Sequence, residues 1–233
     1  MQIEVDDNGE CTLTVNAFMP ESEAWGFITA SHCTSEFGGA YGEAAYKNTE
    51  GYGKVIGWEI LDMELFPTGT QTCPSSAGRL GCRYTDAAFF VYQSNSYPDS
   101  MTIARTTTWP NNWTINPSYP RFTVSGASTE FPYEGLDVHK IGRSTGRTTG
   151  EVTDTCEDLE VEHIVTLCSY TADYTDAGGD SGAPVFTWDG SSGAVELVGI
   201  HWGGNGSEGH FSPWVFVILE IDGELQEELV IAY

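Results

Sequence analysis

Three side chains in the chain are of the types that together break acyl bonds: His32, Asp86 and Ser181. A serine hydroxyl is a poor nucleophile until a base takes its proton, and the oxyanion it creates must be met by donors already in place. In "YTDAGGDSGAPVF", Tyr174 to Phe186, Gly179 has no side chain to stop its N–H turning toward the same point as that of Ser181. Gly182 leaves room beside them for a substrate. Taken alone, Gly-Asp-Ser-Gly is also ordinary turn composition, so this stretch leaves nucleophile and turn both open.

The base is found in "GFITASHCT", where an apolar run delivers His32 beside Cys33. Neutral imidazole takes a proton from serine and returns it to a leaving amine near neutral pH. In "YTDAAFFVY", Asp86 stands at the start of an apolar strand, where a carboxylate holds an imidazole in one tautomer and stabilises its charged form. Among 34 acidic residues, only the company of the other two singles Asp86 out.

Strands must position these groups. Short runs of period-two or β-branched character recur between turn signals: "CTLTVNAF", "AWGFITAS", "GKVIGWEIL", "DAAFFVY", "SMTIARTTT", "GEVTDT", "EHIVTLCSY", "GAPVFTW" and "AVELVGIHW". The richest breaker zone, "TWPNNWTINPSYPRF", predicts a connection over 109–122 between an N-terminal unit, 1–108, and a C-terminal unit, 123–233. "SPWVFVILEIDGELQEEL" predicts a terminal helix, with Ser212 as its N-cap and Pro213 in its first turn.

The 233 residues suffice for a substantial core. A net charge of −25 repels nucleic acid and anionic membranes, so neither is an expected partner. That acidity fits solubility through self-repulsion or adaptation to high salt, and the sequence leaves both open. Cysteines 11, 33, 73, 82, 156 and 168 fall into local pairs without C-x-x-C spacing, which favours disulfides in an oxidising compartment over a zinc site. The start "MQIEVDDNGE" has neither basic nor apolar leader character, so secretion would require prior removal of a signal segment. No metal is expected: the acidic run "DTCEDLEVE", Asp154 to Glu162, lacks the alternating ligands and turn glycine of a calcium loop and reads as a solvated loop.

"TASHC", "TDAAF" and "GGDSGAPVF", in the order His, Asp, Ser, resemble the chymotrypsin-like serine peptidases over Cys11 to about Leu225. "CTLTVNAF" and "GRTTGEV" resemble their secreted bacterial and fungal branch. The resemblance implies an all-β fold of two antiparallel six-stranded barrels with a C-terminal helix. It also implies His32 as base and then acid, Asp86 as its orienter, Ser181 as nucleophile, and Gly179 and Ser181 as oxyanion donors. Disulfides Cys11–Cys33, Cys73–Cys82 and Cys156–Cys168 are implied, as are a cofactor-free monomer and polypeptide substrates.

The chain departs from the family at Ser31, where Ala or Gly is usual, and has no "IVGG"-like start to neutralise Asp180. An internal arginine, Arg143 or Arg147, is expected to do so. "LVGIHWGG" resembles the pocket wall of glutamyl endopeptidases, which places His201, Trp202 and Gly203 against the substrate, with Thr175 and Asp176 opposite. A histidine suits an acidic side chain before the cut, which is the expected preference. An Asp176 pointing into the pocket would favour Lys or Arg instead, and a third outcome pairs Asp176 with His201 or turns Asp176 to solvent, leaving Thr175 and His201 to line the pocket. His210 is expected on a surface loop, and His139 and His163 in structural or exposed places. Sequons stand at Asn112 and Asn205, the second too close to the proposed pocket to carry a glycan comfortably. An inactive relative kept as a binding module is the alternative from another class, against which all three catalytic positions are filled.

Overall fold

The computed structural model describes residues 2–5, 9–35, 38–47, 54–75, 80–93, 101–107, 113–161, 163–191, 193–225 and 228–231. Its strands are β1 (Gln2–Val5), β2 (Glu10–Thr12), β3 (Val15–Met19), β4 (Ala24–Thr29), β5 (Ala44–Lys47), β6 (Val55–Asp62), β7 (Gly81–Arg83) and β8 (Ala88–Tyr92). There follow β9 (Thr102–Ala104), β10 (Arg121–Ala127), β11 (Asp137–Gly142), β12 (Gly146–Val161), β13 (Ile164–Ala172), β14 (Pro184–Thr187), β15 (Ala194–Gly204) and β16 (Gly209–Pro213). Helix α1, Trp214–Leu225, comes last.

Seven strands form one sheet in the order β2-β1-β5-β6-β8-β4-β3. The other sheet has nine, β14-β11-β12-β13-β16-β15-β10-β9 with β7 against β13. The two-barrel plan and the terminal helix therefore hold, with seven and nine strands because short edge pieces such as β2, β7 and β9 join the ladders. Two pairings, β10 with β15 and β7 with β13, are parallel. The second carries Arg83, just before Asp86, onto the far sheet.

Between the sheets lies the largest apolar cluster, to which β3 gives Val15 and Ala17, β8 Phe89, β10 Phe122 and β14 Phe186. Trp214, Val217 and Ile221 fall on one face of α1 at helical spacing and are buried in it. Each such side chain contributes roughly 1.5–3 kcal/mol by leaving water. Beyond the helix the chain returns to the first barrel: Phe18 and Val230 exchange both backbone hydrogen bonds at 2.9 Å, flanked by buried Leu229 and Ile231.

Three expectations are corrected. Ser212 does not cap the helix, nor does Pro213 open it, because both are used in the β16 ladder opposite Ile200 and Gly199. The acidic run from Asp154 is not a loop but the outer part of β12, paired to β13 and bridged by Cys156–Cys168. His210 lies in β16 rather than on a loop. The other two disulfides are Cys11–Cys33 and Cys73–Cys82, as expected. Asn112 and Glu162 fall outside the described residues. The Asn205 side chain accepts from Ser207 and Glu208 N–H groups and donates to the Glu208 carboxylate.

On β12, Glu151, Asp154, Glu157, Asp158 and Glu160 are all exposed along one hairpin arm. Repulsion of this kind is screened by salt, so the melting temperature is expected to rise by several degrees between 0.1 and 2 M NaCl. Scanning calorimetry in NaCl measures it, and a flat curve would leave solubility as the only reading of the acidity.

Candidate active site

His32 sits in a single 3-10 turn, Ser31–Cys33, at the end of β4, tied to the sheet through Cys11–Cys33. Its ring lies between the other two groups, with Nδ1 2.5 Å from Asp86 Oδ2 and Nε2 2.7 Å from Ser181 Oγ. Its backbone N–H donates to Asp86 Oδ1 at 2.9 Å, so one carboxylate fixes both ring and main chain.

Asp86 is almost wholly buried, yet it remains charged. Burial alone would raise its pKa, but the Arg83 guanidinium at 2.6 Å, and then His32, hold the carboxyl well below the usual carboxylate range. Its folded value lying below its unfolded one, the ionised group contributes stability above about pH 4 that is lost as the pH falls further. The Asp86 N–H donates to Ser212 Oγ at 3.2 Å, and the preceding Tyr84 N–H and Thr85 hydroxyl donate to Glu220 of α1. The helix thus anchors the segment that presents the carboxylate.

Ser181 lies in the turn before β14, held by the opposite barrel. Thr12 N–H donates to Ser181 O at 2.7 Å, and the Thr14 hydroxyl donates to Gly182 O. At Gly182 φ is +82°, and a Cβ would stand 2.1 Å from Thr12 O, so no other residue fits there. Gly178 O accepts from Ser144 Oγ and Asp180 O accepts from Ala183 N–H. In a trans peptide C=O and N–H point opposite ways, so the Gly179 and Ser181 N–H groups face away from these partners. Neither has an acceptor among the described residues.

Asp180 is not met by arginine. Its carboxylate takes Lys140 Nζ at 2.5 Å, the Thr145 hydroxyl, and the N–H groups of Ser144, Thr145 and Ala177. Lys140, with 0% of its side chain exposed, shares the inner face of β11 with Val138. Arg143 instead pairs with Glu10, and Arg147 stacks on Trp188. The available signal was a lysine inside an apolar strand, two residues from Val138.

Of the expected pocket residues, His201 is buried, its Nδ1 3.2 Å from the Tyr174 hydroxyl. Burial, followed by the Lys140 charge, holds it well below the usual range and neutral. Asp176 accepts Gly206 N–H at 2.8 Å and stands 3.9 Å from the neutral His201 ring, close to it but without a hydrogen bond. Thr175 is exposed, its carbonyl taken by the Thr148 hydroxyl. Trp202 stacks with His210 and closes a cleft lined also by His32, Asp86, Val161 and Ile164; Gly203 follows it, half-buried. His139 stacks on Phe186, and burial, then Arg147, pushes it down to about 4. His163 is exposed. Sequence reasoning missed Tyr174, Arg83, Lys140 and Glu220.

No protein-family model matches the chain, and no curated protein does. Among solved structures, a glutamic-acid-specific serine protease that uses a histidine triad in substrate binding is similar over 98% of this chain and 97% of its own, at 18% identity and a TM-score of 0.64. Nocardiopsis protease is similar over 98% and 96%, also at 18% identity and a TM-score of 0.64. Thermobifida fusca protease A is similar over 98% and 95%, at 18% identity and a TM-score of 0.60. The chain has the chymotrypsin-like fold of these bacterial proteases.

Proposed function

We propose that the chain is a serine endopeptidase, acting as a monomer on polypeptides without a cofactor. The observation that carries this reading is the continuous Asp86–His32–Ser181 chain of hydrogen bonds, 2.5 and 2.7 Å long. Ser181 Oγ attacks the substrate carbonyl carbon while His32 Nε2 takes its proton, and the oxyanion is met by the Gly179 and Ser181 N–H groups. His32 then passes the proton to the leaving amine, and water repeats the cycle on the acyl-enzyme. In this reading residues 1–108 supply base and orienter, residues 123–233 the nucleophile, and 109–122 joins them. Three disulfides support an extracellular location, and no helix among the described residues is long and apolar enough to cross a membrane.

For the residue before the cut, we propose Glu or Asp. The Asp176 carboxylate is engaged by Gly206 N–H and turned toward His201, so it is not a free anion awaiting a basic side chain. The histidine-based recognition in the glutamic-acid-specific neighbour lends support. Digestion of a denatured protein mixture with product sequencing is expected to show acidic residues enriched before the cut at least about tenfold, since pocket contacts discriminate by a few kcal/mol. Enrichment of Lys or Arg would overturn the preference. A fluorophosphonate probe tests the reaction itself, and failure to label Ser181 in native protein would sink the peptidase reading.

A further inference from the structure

Among the described residues, Arg83 is the arginine placed on the carboxylate that orients His32. It is 3% exposed, and its side chain reaches three groups at once: Nη2 donates to Asp86 Oδ1 at 2.6 Å, Nη1 to Ser31 Oγ at 2.5 Å, and Nη1 stands 3.8 Å from Asp62 Oδ1. Ser31, the departure in "TASHC", therefore has a physical reason, because alanine or glycine would leave that guanidinium edge without its acceptor. The parallel pairing of β7 with β13 fixes the Arg83 backbone opposite Thr166, so the side chain is aimed by a strand ladder and not by a mobile loop.

Resting on the peptidase reading, we propose that Arg83 is a positioning residue of the triad. By pairing with Asp86 from a socket made by Ser31 and Asp62, it lowers the proton affinity of His32, so that the base stays free, and hydrolysis continues, in more acidic solution than the Asp-His pair alone would allow.

The coupling is one of charge. A lone carboxylate on Nδ1 stabilises imidazolium and so raises the pH at which the base is lost. A guanidinium on the other carboxylate oxygen takes up part of that negative field, and its own charge repels the imidazolium. Both effects favour neutral His32. Of the other titratable groups, His201 of β15 is neutral through burial, and Glu220 of α1, which accepts from Tyr84 N–H and the Thr85 hydroxyl, has its carboxyl pushed up by burial and also feels the Arg83 charge. Asp62, at the end of β6, has its carboxyl pushed up to about 7 by burial against the lowering influence of Ser31, Arg83 and Gly38 N–H. Below that pH a neutral Asp62 competes less with Asp86 for the guanidinium, and above it the ionised Asp62 shares it. The grip on Asp86 is thus strongest on the acid side, where protonation of the base limits turnover.

The test measures His32 directly and turnover separately. In the Ser181→Ala protein, which needs no activity, NMR titration of the His32 ring is expected to show its midpoint rise by about one pH unit on adding Arg83→Met, a tenfold gain in proton affinity. In the otherwise native protein the acid limb of kcat/KM should move up equally, and Arg83→Lys, which keeps the charge, should restore it to within about 0.3 unit. Should Arg83→Met fail to fold because it strands Asp62, the double variant Arg83→Met with Asp62→Asn removes that stranded charge and is expected to show the same rise. An unmoved His32 midpoint in whichever variant folds, with only the melting temperature lowered, would overturn the proposal and leave Arg83 a structural residue. A moved midpoint in a protein that hydrolyses no peptide would uphold the proposal for the triad and reject the peptidase reading.

Discussion

Replacing Ser181 with alanine is expected to lower kcat/KM for peptide hydrolysis by about 10⁴-fold or more, the loss seen when the nucleophile of such a unit is removed. Only the transfer of the acyl group is lost. The Ser181 main chain is held through Thr12 N–H, and its neighbours through Thr14 and Ala183, so the turn and the two free N–H groups persist without the hydroxyl. The melting temperature should therefore shift by no more than about 2 °C, the equivalent of the one side-chain hydrogen bond to His32. Steady-state assays on a peptide pool together with calorimetry measure both. Full activity in Ser181→Ala would place the nucleophile elsewhere, and a collapse of stability would mean that the hydroxyl is structural.

The second large effect is expected at Lys140. Its ammonium is the only cation on Asp180 among the described residues, and both side chains are 0% exposed. Lys140→Met leaves a carboxylate buried without a counter-charge, which costs about 3–5 kcal/mol. In a protein of this size that is about 10 °C or more of melting temperature. Activity should fall with it, because Asp180 gathers Ser144, Thr145 and Ala177 N–H groups and so shapes the turn whose Gly179 and Ser181 N–H groups face the substrate. Adding Asp180→Asn to Lys140→Met should recover part of the lost stability, since the stranded charge goes while its amide keeps some hydrogen bonds. A single variant with unchanged calorimetry would show that the pair is energetically idle.

The contrast between Asp86 and Asp180 shows what was legible in the sequence. Residue order and local apolar runs placed His32, Asp86 and Ser181 on separate elements, and the fold brings their atoms within hydrogen-bond reach. Strand β3, whose side chains alternate in burial, was readable from period alone, whereas the buried face of β6 was not, since that strand buries Glu59 and exposes Trp58 and Ile60. Contacts set by tertiary packing were not. Lys140 meets Asp180 across 40 residues, Glu220 reaches Thr85 across 135, and β7 joins a parallel ladder that no local pattern encodes. Ser212 illustrates the converse error. Ser-Pro ahead of an apolar run reads as a helix start, but here the ladder of β15 claims that backbone, and the hydroxyl receives the Asp86 N–H instead of capping the helix.

The bridge between Phe18 and Val230 has a consequence for the order of events in the making of the molecule. Strand β3, an edge of the first sheet, obtains its outer partner only from a residue some 200 positions later. At about 5–20 residues per second the ribosome needs roughly 10–40 s to traverse that distance, during which the first barrel has an open edge and an uncovered apolar face. Closure so remote in sequence also pays loop entropy before any contact rewards it, which places the chain among slow folders. The first sheet is therefore completed only once residue 230 has been made, and until then its open edge is the part of the nascent chain most exposed to aggregation.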